Sequence, residues 1–195
     1  MNIIFDIGKV LIDFDWEKFV GGMFDEKTAA AVTEAMWENP DWSELDRGAL
    51  EDEQVLELFI SKKPGYEREI RFAFAKLGEC PHMKPTTIPM IKKLKADGHK
   101  VYYLSNYFRY LMHTAPWALE FVEYMDGGVF SCNEKKIKPD PAVYQILCER
   151  YSLNKEDCVF IDDSMVNIKA AEEFGIRAIH YHGQTPEQLY GEIFI

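Results

Sequence analysis

Two short apolar runs, each finished by carboxylates, stand at opposite ends of this chain. Asn2-Ile3-Ile4-Phe5 leads into Asp6, and Cys158-Val159-Phe160-Ile161 leads into Asp162-Asp163. Both runs read as buried strands. A carboxylate ending such a strand is costly to hold in a dry interior, so it faces a ligand, a metal or solvent. If both strands belong to one parallel sheet, the acids meet at its C-terminal edge, where open α/β sheets bind ligands. Three converging acids make a site for a hard divalent cation, and one of them can serve as a nucleophile.

The rest of the chain is organised to allow that meeting. Gly8 to Asp15 alternates poorly and reads as a tight turn followed by a short flap. From Trp16 to Gly78 apolar residues recur at three- and four-residue steps, with Asn39-Pro40 and Lys63-Pro64-Gly65 as breaks, so this stretch is expected to be all helix. Beyond Pro85 the pattern becomes helices alternating with β-rich runs: helix 86–96, strand 100–105, a helical stretch 107–124, strand 129–131, a helix opened by Asp140-Pro141, the 158–161 strand, helix 165–174 ended by Gly175, strand 177–181 and a last helix. Strands separated by helices of this size imply right-handed βαβ units. The expected fold is α/β, a Rossmann-like parallel sheet flanked by helices. Residues 1–15 and 79–195 form its core, and 16–78 form a helical cap inserted after the first strand.

Composition narrows the partners. A net charge of -11 over 195 residues argues against nucleic acid or an anionic membrane, and obliges an anionic substrate to find a locally positive pocket. No run approaches the roughly 18 apolar residues of a membrane span, and no signal peptide is expected from the opening residues. Cys80, Cys132, Cys148 and Cys158 lack zinc-like spacing and read as reduced structural thiols. The expectation is a cytoplasmic protein. The five histidines have no spacing that suits a metal.

Four segments can be assembled at the sheet edge: Asp6 with Gly8, Ser105-Asn106, Lys138 before Pro139-Asp140-Pro141, and Asp162-Asp163 with Asn167 behind. In this order, with a helical insert after the first, they resemble the haloacid dehalogenase-like hydrolase superfamily along almost the whole chain. The first motif, Asp6-Ile7-Gly8-Lys9-Val10, is similar to that of its small sugar-phosphate phosphatases. The resemblance implies a Mg²⁺-dependent phosphomonoester hydrolase acting on a small phosphorylated metabolite. Asp6 would be the nucleophile and, with the Gly8 carbonyl, Asp162 and Asp163, a metal ligand. Ser105, Asn106 and Lys138 would bind the phosphoryl group, and Lys138 would bridge it to Asp6.

One position departs from that pattern. Most phosphatases of the superfamily carry an acid two residues after the nucleophile, and here Gly8 occupies the place. Positioned acid catalysis is worth roughly 10²–10⁴-fold. Either the leaving group is good, or Asp13, Asp15 or a water replaces the acid, or the protein binds more than it turns over. A metal-independent dehalogenase also lacks the second acid, although it gains little from Asp162-Asp163. Lys9, an Asn in many similar sequences, either helps bind an anion or points to solvent. Trp42, with Arg47 nearby, is the candidate for substrate selection.

Overall fold

The computed structural model describes residues 1–194. Seven strands form in chain order: β1 (Asn2–Phe5), β2 (Ile12–Asp13), β3 (His82–Met83), β4 (Lys100–Ser105), β5 (Gly127–Phe130), β6 (Cys158–Asp162) and β7 (Arg177–His180). Five of them make one parallel sheet in the order β5-β4-β1-β6-β7. β1 is therefore central, and the two apolar strands from opposite ends of the chain are hydrogen-bonded neighbours. Phe5 lies opposite Tyr103 on β4 and Ile161 on β6, so the next residue of each strand, Asp6 and Asp162, falls at one level. The Asp6 N–H donates to the Ile161 carbonyl at 2.8 Å and extends the ladder by one rung.

Both faces of the sheet are dry. Side chains alternate along a strand, so Ile3 and Phe5 enter one cluster with Val101, Tyr103, Val159 and Ile161, while Ile4 enters a second with Tyr102, Leu104 and Phe160. The second cluster is covered by α9 (Pro141–Tyr151) and α10 (Met165–Phe174). The first is covered by α6 (Thr87–Ala96) and α11 (Pro186–Ile193), and it runs on into the segment between β2 and β3. That segment carries α1 (Trp16–Gly21), α2 (Glu26–Ala35), α3 (Trp42–Arg47), α4 (Asp52–Lys62) and α5 (Glu67–Lys76). Two further short helices, α7 (Arg109–Thr114) and α8 (Ser131–Glu134), follow β4 and β5.

Local chemistry accounts for most boundaries. The Asp140 carboxylate accepts from the Ala142 N–H and Pro141 takes the first turn, so α9 starts where its cap places it. Gly175 adopts φ 98° and closes α10. Four expectations need correction. The 107–124 stretch is not one helix: α7 stops at Thr114, because Pro116 disfavours helical backbone at Ala115, and a 3-10 segment continues to Tyr124. Ser131 opens α8 and is not part of β5, and β7 ends at His180. Finally, residues 8–15 contain a strand: Ile12 and Asp13 pair antiparallel with Met83 and His82. This two-rung ladder brings the entry and exit of the helical segment side by side.

Candidate active site

The sheet register gathers the acids. Carboxylate oxygens of Asp6, Asp162 and Asp163 lie within 4.8 Å of one another at the C-terminal edge of β1 and β6. Lys138, from the turn before α9, reaches into the same place. Its Nζ lies 2.8 Å from Asp6 Oδ1 and 2.6 Å from Asp162 Oδ2, with the side chain wholly buried. Burial works against the ammonium, but the Asp162 and Asp6 charges override it and hold the Lys138 pKa above its ordinary value. A buried ion pair of this kind is costly unless its remaining lone pairs are satisfied.

Those lone pairs are satisfied on Asp162. Its Oδ1 accepts from the Ser164 N–H at 2.8 Å, and both of its oxygens lie 3.1 Å from Asn167 Nδ2. Asn167 thus orients Asp162 directly. Asp6 keeps more freedom. Burial pushes its pKa up to about 6, with Lys138 opposing and Asp162 adding to the rise. Asp163 is raised by burial and by the Asp162 charge. Three clustered carboxylates against one ammonium leave net negative charge beside the sheet, and Asp163 has no ion pair among the described residues. Hard oxygen donors on a rigid sheet edge fit a small divalent cation such as Mg²⁺.

Asn106 acts on Lys138 through its side chain. The Asn106 Oδ1 accepts from the Lys138 N–H at 2.8 Å, and its Nδ2 donates to the Lys138 carbonyl at 3.0 Å. Ser105 is buried at the end of β4, its Oγ 3.5 Å from the Asn106 carbonyl. The Asn106 amide is thus engaged with the Lys138 main chain, and the residue also lines the cavity that Asp6 lines. Gly8 stands in open space, where an added Cβ would meet nothing within 4 Å.

These groups open onto a cavity of about 240 Å³. Asp6, Asp163 and Asn106 form its polar floor, and Phe14, Trp37, Trp42 and Phe108 line its apolar walls. Trp42 packs edge-on to Phe108 with ring centroids 5.6 Å apart and to Trp37 at 5.0 Å. Arg47 is not among the lining residues; its Nε is engaged by Glu44 at 3.1 Å. Asp13 and Asp15 are also elsewhere. Asp13 stands in β2 with a side-chain exposure of 67%, and the Asp15 carboxylate accepts from the Lys18 N–H to start α1. Both line a larger neighbouring groove of about 820 Å³ that contains none of the clustered acids. The larger space is thus not the chemical one. Lys9 borders both cavities, its ammonium 5.6 Å from the Trp37 ring centroid.

One acid of the cavity, a neighbour of Trp42 and Arg47 in the sequence, has no chemical role in the sequence reading. Asp46, in the last turn of α3, lines the same space as Asp6. Burial and the Asp6 charge, opposed by Lys138, push its pKa up to about 7. In the sequence it sits in Ser43-Glu44-Leu45-Asp46-Arg47, a pattern shared by any solvated helix face. The four cysteines are free and buried, and burial holds each thiol pKa above its usual value. None of the helices described is long and apolar enough to cross a membrane.

A parallel sheet with acids, an ammonium and an amide converging at one edge defines a hydrolase class, and residues 1–175 match the family model of haloacid dehalogenase-like hydrolases. The chain belongs to that family. It is similar to (S)-2-haloacid dehalogenase 4A of Burkholderia cepacia, with 25% identity over 69% of this chain and 57% of that protein. It is equally similar to the sesquiterpene phosphatase astK of Aspergillus oryzae, with 24% identity over 91% of this chain and 87% of that one. The fold matches a HAD family enzyme of Bacteroides thetaiotaomicron solved with magnesium and inorganic phosphate, at TM-score 0.72 and 19% identity, covering 97% of this chain and 98% of that one.

Proposed function

We propose that the chain is a Mg²⁺-dependent phosphatase of small phosphorylated metabolites, working through an aspartyl-phosphate at Asp6. The observation that carries this reading is the third carboxylate. Asp6 and Lys138 alone would serve attack at carbon, whereas Asp163 adds a free hard donor within reach of Asp6. Asp6 and Asp163, with the Gly8 carbonyl and Asp162, would hold the ion; when bound it neutralises charge on phosphoryl oxygens.

The chain's own groups do the rest. An Asp6 oxygen attacks phosphorus, the bond to the leaving oxygen breaks, and an acyl-phosphate forms. Lys138, fixed by Asn106 through its main chain and by Asp6 and Asp162 through its ammonium, keeps the nucleophile oriented. Water then attacks phosphorus and frees Asp6. The aromatic walls at Trp37 and Trp42 shield the intermediate and accept the apolar face of the organic group, as the C–H face of a sugar ring would present. We also place residues 16–78 as a cap over this site and the protein in the cytoplasm.

A panel of phosphomonoesters assayed for phosphate release with Mg²⁺, with and without EDTA, tests the reading. Wild type releases phosphate only with the ion, and Asp6→Asn lowers turnover at least 10³-fold, roughly the loss of a nucleophile. Retained turnover in Asp6→Asn sinks the assignment. The similarity to a dehalogenase supports the second reading, hydrolysis at carbon. Halide release from a 2-haloacid that survives EDTA would establish that one instead.

A further inference from the structure

Of the three acids lining the small cavity, Asp6 and Asp163 have tasks in the reading above and Asp46 has none. We propose that Asp46, carried into the cavity by α3, is the proton donor and acceptor of the phosphomonoester reaction. The inference deepens the phosphatase reading and rests on it.

Four observations converge. The first is position: Asp46 lines the same cavity as Asp6 and Gly8, and an added Cβ at Gly8 would meet nothing within 4 Å. The second is that its backbone is fastened to the sheet side of the molecule. The Asp46 carbonyl accepts from Ser131 Oγ at 2.5 Å, and that oxygen also accepts from the Tyr107 N–H at 3.0 Å. Two residues on, the Gly48 carbonyl accepts from Arg109 Nη1 at 3.2 Å, while Arg109 Nη2 holds the Cys132 carbonyl at 2.9 Å. Gly48 closes the helix at φ 62° and lies so near Cys132 that a Cβ would stand 2.7 Å from its carbonyl oxygen.

The third is that the carboxylate itself is unengaged, with no hydrogen bond and no ion pair among the described residues. A fixed main chain with a free, half-buried acid lining a cavity is the geometry of a group kept for a ligand. The fourth is the lack of a rival. The Asn106 amide does not exchange a proton near neutral pH, and the Lys9 ammonium lies against Trp37. The Tyr107 hydroxyl is buried without a partner, and burial pushes it further above its alkaline range, so it cannot act as a base near neutral pH.

The protons balance. As Asp6 oxygen bonds to phosphorus and the ester P–O bond breaks, the Asp46 proton passes to the departing oxygen, which leaves as an alcohol. Asp46, now a carboxylate, takes a proton from the water that attacks the acyl-phosphate; inorganic phosphate leaves and both acids return to their starting states. A pKa near neutral lets one group do both. The charged and titratable groups around it are Asp6, Asp163, Lys9 and Lys138 across the cavity, Glu44 and Arg47 on its own helix, Asp52 of α4, Arg109 of α7 and Cys132 of α8.

Leaving-group dependence separates proton donation from mere structure. Wild type, Asp46→Asn, Asp46→Glu and Asp6→Asn are assayed with Mg²⁺ on 4-nitrophenyl phosphate, whose leaving group needs no proton, and on benzyl phosphate, whose leaving group does. Asp46→Asn is expected to lower kcat/KM on benzyl phosphate by about 100-fold or more and to accumulate phosphoenzyme after a burst of nitrophenolate from the other ester. Asp46→Glu is expected to recover part of the loss. The wild-type rate on benzyl phosphate should fall on the alkaline side, as Asp46 loses the proton it donates, and Asp46→Asn should lack that limb. Equal losses on both esters with no burst, or no loss on either, overturn the role of Asp46 while Asp6→Asn inactivity leaves the phosphatase reading standing. An active Asp6→Asn, or no phosphate release by wild type, removes that reading and this inference with it.

Discussion

At the scale of single residues, Asp46 links chemistry to stability. Its folded-state pKa is about 7, against about 4 for an exposed Asp. The folded protein therefore holds a proton at this site that the unfolded chain has released, and stability falls as pH rises from about 4 to about 7. Asp46→Asn removes a charge that the cavity disfavours. Measured by denaturant unfolding in EDTA, it should stabilise the protein by about 2 kcal/mol at pH 8 and by nothing measurable at pH 4, less than the full shift implies because the side chain keeps some solvent. A gain of the same size at both pH values would contradict the assignment of the shift. Asp6 and Asp162 were legible in the sequence because an acid rarely ends an apolar strand unless a ligand or a cation awaits it there. Lys138 was legible only through its Pro-Asp-Pro neighbour. Asp46 was not, because the burial that makes it unusual comes from docking of α3 against α8 and α7, which no local pattern encodes.

At the scale of elements, the attachment of α3 decides how well the cavity is built. Gly48→Ala must place a Cβ against the Cys132 main chain and hold an L-residue at φ 62°. It should destabilise the fold by about 2 kcal/mol or more and lower turnover at least 10-fold, because Asp46 shifts with the helix end. Thermal unfolding and steady-state kinetics on one preparation check both, and a variant that loses stability but keeps full turnover would detach the helix end from catalysis. Long elements were readable from caps and periodicity: α9 from Asp140-Pro141, α10 from Gly175, and β4 from its run of apolar residues. β3 was not, since two residues carry no periodicity and its existence depends on β2 arriving beside it. The break in 107–124 is encoded at Pro116, which reading the stretch as helical throughout passes over.

At the scale of the whole molecule, charge and chemistry oppose each other. A net charge of -11 would repel a phosphate ester before the proposed Mg²⁺-loaded site could attract it. Added salt screens that repulsion over distances beyond about 10 Å while leaving contacts inside the cavity almost unchanged. The kcat/KM for a phosphomonoester with saturating Mg²⁺ should thus rise between about 10 and about 150 mM NaCl, with kcat nearly constant; a fall would mean that a local positive field dominates the approach. The two-rung ladder of β2 and β3 has a consequence on the same scale. Because the polypeptide departs and returns at adjacent points, the segment between them is inserted without separating the strands on either side. An alternative segment of different length spliced there would leave the pairing of the five parallel strands undisturbed, so the insert is free to diverge while the clustered acids stay where they are.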